Sequence, residues 1–410
     1  MTFAPKRIAP QPWMTAPETR AVVDALAKNG GRVRFVGGCV RDALSGRPVK
    51  DIDLATPDPP EIVMRRLAAE DIRVVPTGIA HGTVTAVIGG KHFEITTLRQ
   101  DVETFGRRAT VAFTDDWAAD AARRDFTINA LSLDFDGTLH DPYDGFADLL
   151  AGRVRFVGDA ETRIREDVLR LLRFFRFQAY YGRGAPDPES LAACRKLAHL
   201  LPTLSGERVA GEILRLMLAD DPASSVALMI EEGILGHILP ELRDVGRLRA
   251  LVVLEAKYAA PDALRRLAAS LPADAVGVSA LATRLRLSNH ERAWLELLTT
   301  PPLAVAPALD VNARRRALHR LGATAFRDLA LLGAAARRDE IGLAELLADA
   351  AAWHPVALPI KGQDALDRGV PPGPRVGELI AAVEKWWEDG DYRADRAACL
   401  GRLERLIGRQ

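Results

Sequence analysis

Apolar and polar positions follow two different patterns along this chain, and the change comes after about residue 150. The first part mixes helical spacing with short apolar runs that end at glycine pairs, which is typical of strands joined by tight turns. Two of these runs flank Gly89-Gly90 and predict a hairpin. A small mixed sheet flanked by helices therefore accounts for this part. The predicted elements are helices at 16–30, 40–44 and 61–70, and strands at 33–37, 51–56, 82–88 and 92–98.

The second part predicts helices almost exclusively. From Thr162 onward, Ala, Leu and Arg recur at helical spacing and prolines punctuate the pattern, without a clear internal repeat. The fold class is therefore α+β, with a small mixed-sheet head followed by an all-helical neck, body and tail. The predicted divisions are a head at 1–150, a neck at 151–218, a body at 219–300 and a tail at 301–410.

Composition narrows the class of protein. A hydrophobic fraction of 48% beside 27% charged residues is typical of a soluble globular chain, and 410 residues exceed one compact core. The sequence has no apolar run long enough to span a membrane and no secretory signal at its start. Cys39, Cys194 and Cys399 have no paired spacing, so neither a zinc site nor a disulfide framework is expected. These features predict a cytoplasmic protein.

Charge is balanced overall but not locally. The net charge is zero, which gives no global attraction to nucleic acid. Residues 153–183, however, hold eight arginines against four acids. For an arbitrary basic segment a solvated helix surface is the simpler interpretation, and a site for an anionic partner is the alternative.

Asp51 and Asp53 are the first candidates for chemistry. One residue separates them in a predicted strand, so both side chains leave the same face about 7 Å apart. Two such carboxylates can hold two magnesium ions that align an attacking hydroxyl and neutralise a leaving pyrophosphate. On its own the pair is weak evidence for a catalytic site, because two aspartates with this spacing are common on exposed strand faces.

A glycine turn upstream strengthens the pair. Gly37-Gly38 lies between a predicted strand and a helix, where missing side chains let backbone N–H groups approach a triphosphate. An ordinary strand-to-helix turn would be the alternative. Arg41 follows in the first helical turn and could bind phosphate oxygens.

The whole stretch GGCVRDALSGRPVKDIDLAT (37–56) resembles the signature of the class II CCA tRNA nucleotidyltransferase and bacterial poly(A) polymerase family, within the DNA polymerase β superfamily. The resemblance implies that Asp51 and Asp53 hold catalytic Mg²⁺ and that Gly38 and Arg41 hold the triphosphate. It also implies a nucleotidyltransferase head and a reaction without a protein nucleophile.

A third carboxylate is usual in this superfamily. Glu94 is the candidate, because it lies on the second strand of a hairpin expected beside the Asp51 strand. A solvent-facing strand residue is an equally good interpretation.

ARRDFTINAL (122–131) resembles the family's second motif, which contacts the ribose of the incoming nucleotide. Arg124 would then bind the nucleotide. Asp125 and Asn129, four apart on a predicted helix, would share a face and hydrogen-bond hydroxyl groups. A helix cap with an exposed polar face is the alternative.

EDVLRLLRFFRF (166–177) resembles the motif that reads the base edge in the family. Asp167 and Arg170, three apart on a predicted helix face, offer acceptor and donor groups to a Watson–Crick edge without a template strand. Arg173 and Arg176 match further nucleotide-binding positions. On an ideal helix the side chain of Arg176 would point about 180° away from that of Asp167. The alternative is therefore that Arg176 packs along the neck and pairs with an acid.

Arg208 and Glu212 resemble a weaker motif that supports the base-reading helix. Their spacing of four also fits a surface ion pair, so they are left outside the predicted site.

The resemblance implies addition of the 3′-terminal CCA to tRNA from CTP and ATP. TGIAHGTVTAVI (77–88) looks like the tRNA-specific branch, and the basic, aromatic element usual in the poly(A) polymerases is missing there. The alternatives, ranked below CCA addition, are poly(A) polymerase activity, addition of CC only and addition of A only. The family's flexible loop for switching from C to A is only partly retained within 101–115, by Gly106, Arg107 and Arg108.

Two other classes of protein stay open at this point. One is a catalytically silent RNA-binding protein of the same fold, although every motif residue named above is present. The other is an HD-type phosphohydrolase, for which His140-Asp141 is the single His-Asp pair. The predicted partners are tRNA, CTP and ATP, with no membrane and no protein partner implied. Candidate tRNA contacts in the helical half are Arg314, Arg315, Arg316 and Arg320.

Overall fold

A computed structural model describes residues 7–105, 108–242 and 245–408 of the chain. It separates into two compact units, of which the first ends at Pro240 and the second begins at Glu241. Gly106 and Arg107 of the expected flexible loop lie outside the described residues. The proposed four-part division of the chain stays a prediction.

The strands all belong to the first unit. Within the described residues, seven of them form one mixed sheet in the order β3-β4-β5-β2-β1-β8-β9, and β6 pairs with β7 in a separate hairpin. The strands are β1 Arg34–Val36, β2 Ile52–Thr56, β3 Arg73–Gly78, β4 Thr83–Ile88, β5 Lys91–Thr97, β6 Arg99–Phe105, β7 Arg108–Phe113, β8 Ser132–Leu133 and β9 Leu139–His140.

The pairing of β2 with β5 is parallel and fixes the position of the candidate carboxylates. In its register Asp53 lies opposite Glu94. Along β5 the side chains alternate, with Phe93 and Ile95 buried and Glu94 exposed. The apolar face of the sheet therefore forms the core while the polar face stays open beside β2.

The helices of the first unit begin at clear start signals. Proline occupies the first turn of α2, α4, α9 and α11, where its missing N–H would be unpaired anyway. Aspartate side chains cap α5, α7, α9 and α11. The helices are α1 Pro12–Thr15, α2 Pro17–Ala27, α3 Gly38–Leu44, α4 Pro60–Ala68, α5 Trp117–Ala122, α6 Gly145–Ala151, α7 Ala160–Glu166, α8 Leu169–Tyr181, α9 Pro188–Leu197, α10 Gly206–Met217 and α11 Pro222–Glu231.

Aromatic rings attach α8 to the end of the head. Phe126 packs on Phe156 and Phe177 at centroid distances of 4.9 and 5.0 Å, and Phe174 stacks on Phe156 at 5.9 Å. Burial of such rings is among the larger apolar contributions a core can make. These contacts hold the helix that carries the predicted base-reading residues.

The second unit is helical throughout its described residues. Its longest buried face belongs to α17, which packs against α12, α16 and α18, and its last three helices enclose Trp387, Val383 and Leu403 in a core of their own. The helices are α12 Gly246–Tyr258, α13 Ala263–Ala269, α14 Ala275–Arg284, α15 Asn289–Thr299, α16 Val311–Leu321, α17 Ala323–Arg337, α18 Leu343–Ala352, α19 Gly362–Leu366, α20 Pro374–Asp389 and α21 Arg396–Ile407.

The predicted fold class is confirmed: a mixed-sheet head is followed by helices alone. Strand β2 begins one residue later than predicted, so Asp51 precedes it, and α3 begins at Gly38 rather than at 40. In the described part of the chain, no helix combines the length and the apolar character needed to cross a membrane.

Candidate active site

The turn between β1 and α3 needs glycine at its first position. Gly37 has φ 67° and ψ −123°, which side-chain-bearing residues rarely adopt. A Cβ atom there would also lie 3.1 Å from Nη1 of Arg124. The missing side chain thus lets this arginine lie directly against the turn.

Of the candidate carboxylates, Asp53 lies next to the helix that follows this turn, where Cys39 Sγ contacts its main-chain oxygen at 3.6 Å. Burial, together with the negative charges of Glu94 and Asp51, raises the pKa of Asp53 to about 6, although Arg124 and Arg41 act in the opposite direction. Asp51 and Glu94 are exposed. Three acids and two arginines therefore share one electrostatic neighbourhood, as the sequence predicted for the two aspartates and Arg41.

The donor set suits a hard divalent cation. Among residues 7–105, 108–242 and 245–408, no three His, Cys, Asp or Glu side chains are gathered tightly enough to hold a metal by themselves. Mg²⁺ is commonly held by one or two carboxylates, with waters and substrate phosphates completing its shell. Asp51 and Asp53, whose like charges raise the pKa of Asp53, fit that requirement.

Arg41 and Arg124 are both tied to the segment that follows α5. Arg41 donates from Nη1 to Oδ1 of Asn129 at 2.5 Å. Arg124 donates to the main-chain oxygen of Asn129 at 3.4 Å and pairs with Asp120 at 3.1 Å. The predicted phosphate and nucleotide arginines therefore converge on one residue.

Asp125 and Asn129 meet as predicted, but not on a helix. Asp125 follows α5, and only a single 3₁₀ turn covers Thr127–Asn129. The cause is Phe126, whose extended backbone bridges to Phe156 and whose ring is fully buried. This bridge interrupts the helix that the sequence predicted.

The two polar side chains bond to each other across that turn. Asn129 Nδ2 donates to Asp125 Oδ1 at 2.8 Å, and Arg173 Nε donates to Asp125 Oδ2 at 2.7 Å. Burial alone would raise the pKa of Asp125, but the charge of Arg173 and the hydrogen bonds from Asn129, Arg173 and Phe126 hold it below its ordinary value. Asp125 is therefore an ionised, buried link between the head and α8.

Asp167 and Arg170 do not share a helix face either. Asp167 is extended, with φ −147° and ψ 104°, between α7 and α8, and its side chain accepts from the N–H of Leu169 at 3.2 Å. It caps the start of α8 because an acid at a helix N-terminus satisfies unpaired N–H groups. Arg170 lies within α8 and contacts Glu166 at 2.6 Å and the main-chain oxygen of Arg123 at 2.8 Å.

Arg173 and Arg176 extend the same set of contacts along α8. Arg176 donates to Glu212 Oε2 at 2.6 Å, and Arg173 lies 3.9 Å from Oε1 of the same side chain. Burial lowers the pKa of Arg176 although Glu212 acts in the opposite direction. Arg176 is thus paired with an acid, which is the alternative that the sequence analysis left open for it. Nucleotide binding by Arg173 or Arg176 stays a prediction.

Arg208 and Glu212 are the residues that sequence reasoning left out. Arg208 donates to both carboxylate oxygens of Asp167, at 2.9 and 2.8 Å. Glu212 is buried beside Val209, Ile213 and other apolar residues of α10. An acid placed on the apolar stripe of an amphipathic helix was the available signal, because such an acid needs a cationic partner.

Two other sequence-based candidates have structural partners. Asp141 accepts from the N–H groups of Gly145 and Phe146 at 2.7 and 2.9 Å, so it caps a turn, and His140 pairs with Asp134.

In the second unit the candidate tRNA-binding arginines form ion pairs: Arg314 contacts Glu345 and Asp349, Arg315 contacts Asp391 and Arg320 contacts Glu388. These three guanidinium groups are engaged within the protein.

Comparison with known proteins gives matches over nearly the whole chain. A family model described as "Poly A polymerase head domain" matches residues 33–155, and one described as "Probable RNA and SrmB- binding site of polymerase A" matches residues 185–245. A relative from Danio rerio, "CCA tRNA nucleotidyltransferase 1, mitochondrial", is 33% identical over 93% of this chain and 89% of its own length.

Bacterial proteins are similar to the same extent. A "CCA-adding enzyme" from Lactobacillus delbrueckii subsp. bulgaricus is 31% identical over 92% of this chain and 94% of its own length. The crystal structure of the Bacillus stearothermophilus CCA-adding enzyme in complex with CTP matches with a TM-score of 0.78 and 28% identity, over 95% of this chain and 97% of that one. The similarity therefore covers both units.

Proposed function

This chain belongs to the CCA tRNA nucleotidyltransferase family, and from this membership we infer that it adds the 3′-terminal CCA to tRNA from CTP and ATP and releases pyrophosphate. The observation that supports this function best is the site itself. Asp53 shares one electrostatic neighbourhood with Asp51, Glu94, Arg41 and Arg124, and Arg124 lies against the Gly37 turn. Opposite charges are thus arranged for a metal-bound triphosphate.

Nucleotidyltransferases of this family are generally metal-dependent, and we propose Mg²⁺ held by Asp51 and Asp53. Bound Mg²⁺ would neutralise charge on the phosphates and favour loss of the proton from the attacking hydroxyl. Glu94, opposite Asp53 in the parallel register, is the proposed third carboxylate.

The proposed reaction is a direct transfer. The 3′ hydroxyl oxygen of tRNA attacks the α-phosphorus of the nucleotide, an O–P bond forms, and the bond from the α-phosphorus to the oxygen bridging to the β-phosphate breaks. Gly38 leaves the loop open to the triphosphate, while Arg41 and Arg124 bind its oxygens and orient the α-phosphorus. Pyrophosphate leaves, and no protein nucleophile takes part.

We propose that α8 and the segment before it select the nucleotide. Asp125 and Asn129 contact the ribose, and Asp167, Arg170, Arg173 and Arg176 contact the base and its surroundings. The ion pair from Arg208 to Asp167 and the buried Glu212 support this assignment, because they hold acceptor and donor groups in fixed positions. Fixed donors and acceptors can replace a template strand.

The domain assignment and the compartment are also proposals. The head at 1–150 would catalyse, the neck at 151–218 would select the base, and the body at 219–300 with the tail at 301–410 would bind tRNA. The free, buried cysteines Cys39, Cys194 and Cys399 agree with a reducing compartment such as the cytoplasm.

The test uses three tRNA substrates, which lack CCA, end in CC or are complete, each with CTP, ATP or both. We expect two C residues with CTP alone, one A on the CC substrate with ATP, and no extension of complete tRNA. Asp51→Asn should abolish pyrophosphate release, whereas the matched control Asp24→Asn, on an exposed face of α2, should not. Long A tails on complete tRNA would identify a poly(A) polymerase, and no incorporation at all would favour a binding protein.

A further inference from the structure

The C-terminal half of α8 contacts Arg41 of α3 through two aromatic rings. Phe177 and Tyr181 stack at a centroid distance of 5.6 Å. The guanidinium carbon of Arg41 lies 5.0 Å from the centroid of Phe177 and 4.5 Å from that of Tyr181. Such cation–π contacts are attractive, and they are stronger when the pair is shielded from water. One helix therefore carries predicted base-reading residues in its first half and contacts the triphosphate arginine with its second.

The Tyr181 hydroxyl adds a directional contact. It donates to Oδ1 of Asp42 at 2.6 Å. The same carboxylate oxygen accepts from Arg41 Nε at 3.0 Å and lies 2.9 Å from Arg41 Nη2. Asp42 is thus held between the tyrosine and the arginine, so the hydroxyl acts on Arg41 through one intervening carboxylate.

These contacts fix the guanidinium almost completely. Its third nitrogen, Nη1, donates to Asn129, and the side chain of Arg41 is only 11% exposed. A guanidinium has five N–H groups, so N–H groups on Nη1 and Nη2 remain for a ligand. Burial raises the pKa of Tyr181 to about 12 although Arg41 acts in the opposite direction, so the hydroxyl keeps its proton at neutral pH.

We propose that Tyr181 is a positioning residue for the nucleotide triphosphate, holding Arg41 through Asp42 and through its ring face. The proposal rests on the proposed function, in which Arg41 binds the triphosphate. Tyr181 lies four residues beyond the segment 166–177 that resembles the base-reading motif. Its role is to align a phosphate-binding group, which reduces the entropy lost when the nucleotide binds.

This role makes a distinctive prediction about specificity. CTP and ATP carry the same triphosphate, so loss of the Tyr181 contacts should weaken both nucleotides by the same factor. A residue that acts on base selection should instead change the ratio between them. A residue that only stabilises the fold should lower the melting temperature without raising KM.

The experiment compares Tyr181→Phe, Tyr181→Leu and the matched control Tyr180→Phe by steady-state kinetics and thermal melting. The Tyr180 hydroxyl donates to the main-chain oxygen of Arg215 instead. We expect Tyr181→Phe to raise KM about threefold to tenfold for CTP and ATP alike, and Tyr181→Leu to raise it further because the ring contact is lost too. Their kcat values should stay within about twofold of wild type.

Four results would overturn the proposal: an unchanged KM in Tyr181→Phe, a changed CTP to ATP ratio, an equal effect of Tyr180→Phe, or a fall in kcat alone. Tyr181→Phe retains the ring, so the test stands even where the leucine variant does not fold. An inactive wild-type protein would reject the proposed function instead, so the two failures are distinguishable.

Discussion

Two buried networks of ion pairs, one in each unit, use the same residue types for different ends. In the first unit Asp125, Arg173, Arg176 and Glu212 join the head to α8 and α10. In the second unit Glu255, Arg265, Arg266 and Asp328 join α12, α13 and α17. We call them the head network and the body network.

The networks differ in their access to solvent. In the body network the side chains of Arg265 and Glu255 are each 1% exposed, and Arg265 also donates to the main-chain oxygen of Ala260 at 2.6 Å. In the head network the acids Asp125 and Glu212 are also largely buried, at 9% and 3% exposed, but Arg173 remains 29% exposed. The centre of the body network, where Arg265 and Arg266 share Glu255, is closed, and its exposed edge is Arg327, which pairs with Asp328 and is 43% exposed. Both networks thus have a partly exposed arginine, and we propose that the one in the head network, Arg173, contacts the nucleotide while the closed centre of the body network serves stability.

The largest expected effect is on stability, and it comes from opening the body network. Glu255→Gln leaves Arg265 and Arg266 without their shared carboxylate, and breaking a buried pair in this way costs about 3 to 5 kcal/mol. Urea unfolding should show that loss in free energy. Glu340→Gln, which removes one carboxylate of an exposed pair with Lys257, is the control and should leave the midpoint unchanged. Equal midpoints for both variants would mean that enclosure does not matter.

A matched pair of conservative changes tests the division between stability and activity. Arg173→Lys loses the two-nitrogen contact with Asp125, so kcat/KM should fall about 10- to 100-fold with only about 1 kcal/mol of stability lost. Arg265→Lys should lower the free energy of unfolding by about 3 kcal/mol and leave kcat/KM of the folded protein unchanged. If Arg173→Lys kept full activity, the open side of the head network would have no ligand role.

Much of the fold could be read from the sequence, because local signals and tertiary packing agree. Short strand-like segments predicted β1, β2, β4 and β5 but not β3, β8 and β9 of the same sheet. The register of β2 with β5 brings Asp53 beside Glu94 as expected. The helical pattern after Thr162 was equally reliable. In these regions burial of one face and intrinsic backbone preference favour the same structure.

The sequence failed where tertiary contacts override local pattern. Helical spacing from Asp125 to Asn129 could not reveal that Phe126 pairs with a distant residue and breaks the helix. Nor could spacing reveal that Asp167 caps α8 rather than lying on it, or that its partner is Arg208. The contacts of Phe126 with Phe156 and of Asp167 with Arg208 join residues at least 30 positions apart, for which a single sequence carries no periodic signal.

The smallest expected effect concerns carboxylates that lack such partners. In the body network every acid forms an ion pair with an arginine, whereas the pKa of Asp53 is raised to about 6 by burial and by the like charges of Glu94 and Asp51, although Arg124 and Arg41 act in the opposite direction. The folded protein therefore binds more protons than the unfolded chain between about pH 4 and 6, and stability falls as the pH rises through this window. For a partly buried group we expect a loss on the order of 1 to 2 kcal/mol in metal-free protein.

Urea unfolding in the presence of a chelator, at pH 4.5 and 7, measures this loss. Asp53→Asn should remove it, and Asp24→Asn should retain it. Adding Mg²⁺ at pH 7 should restore stability, because a cation binds the ionised carboxylates of the folded state, by about 1.4 kcal/mol for each tenfold excess over its dissociation constant. If the pH dependence persists unchanged in Asp53→Asn, it arises elsewhere in the protein. In that case the like charges around Asp53 would make no measurable contribution to the free energy of unfolding.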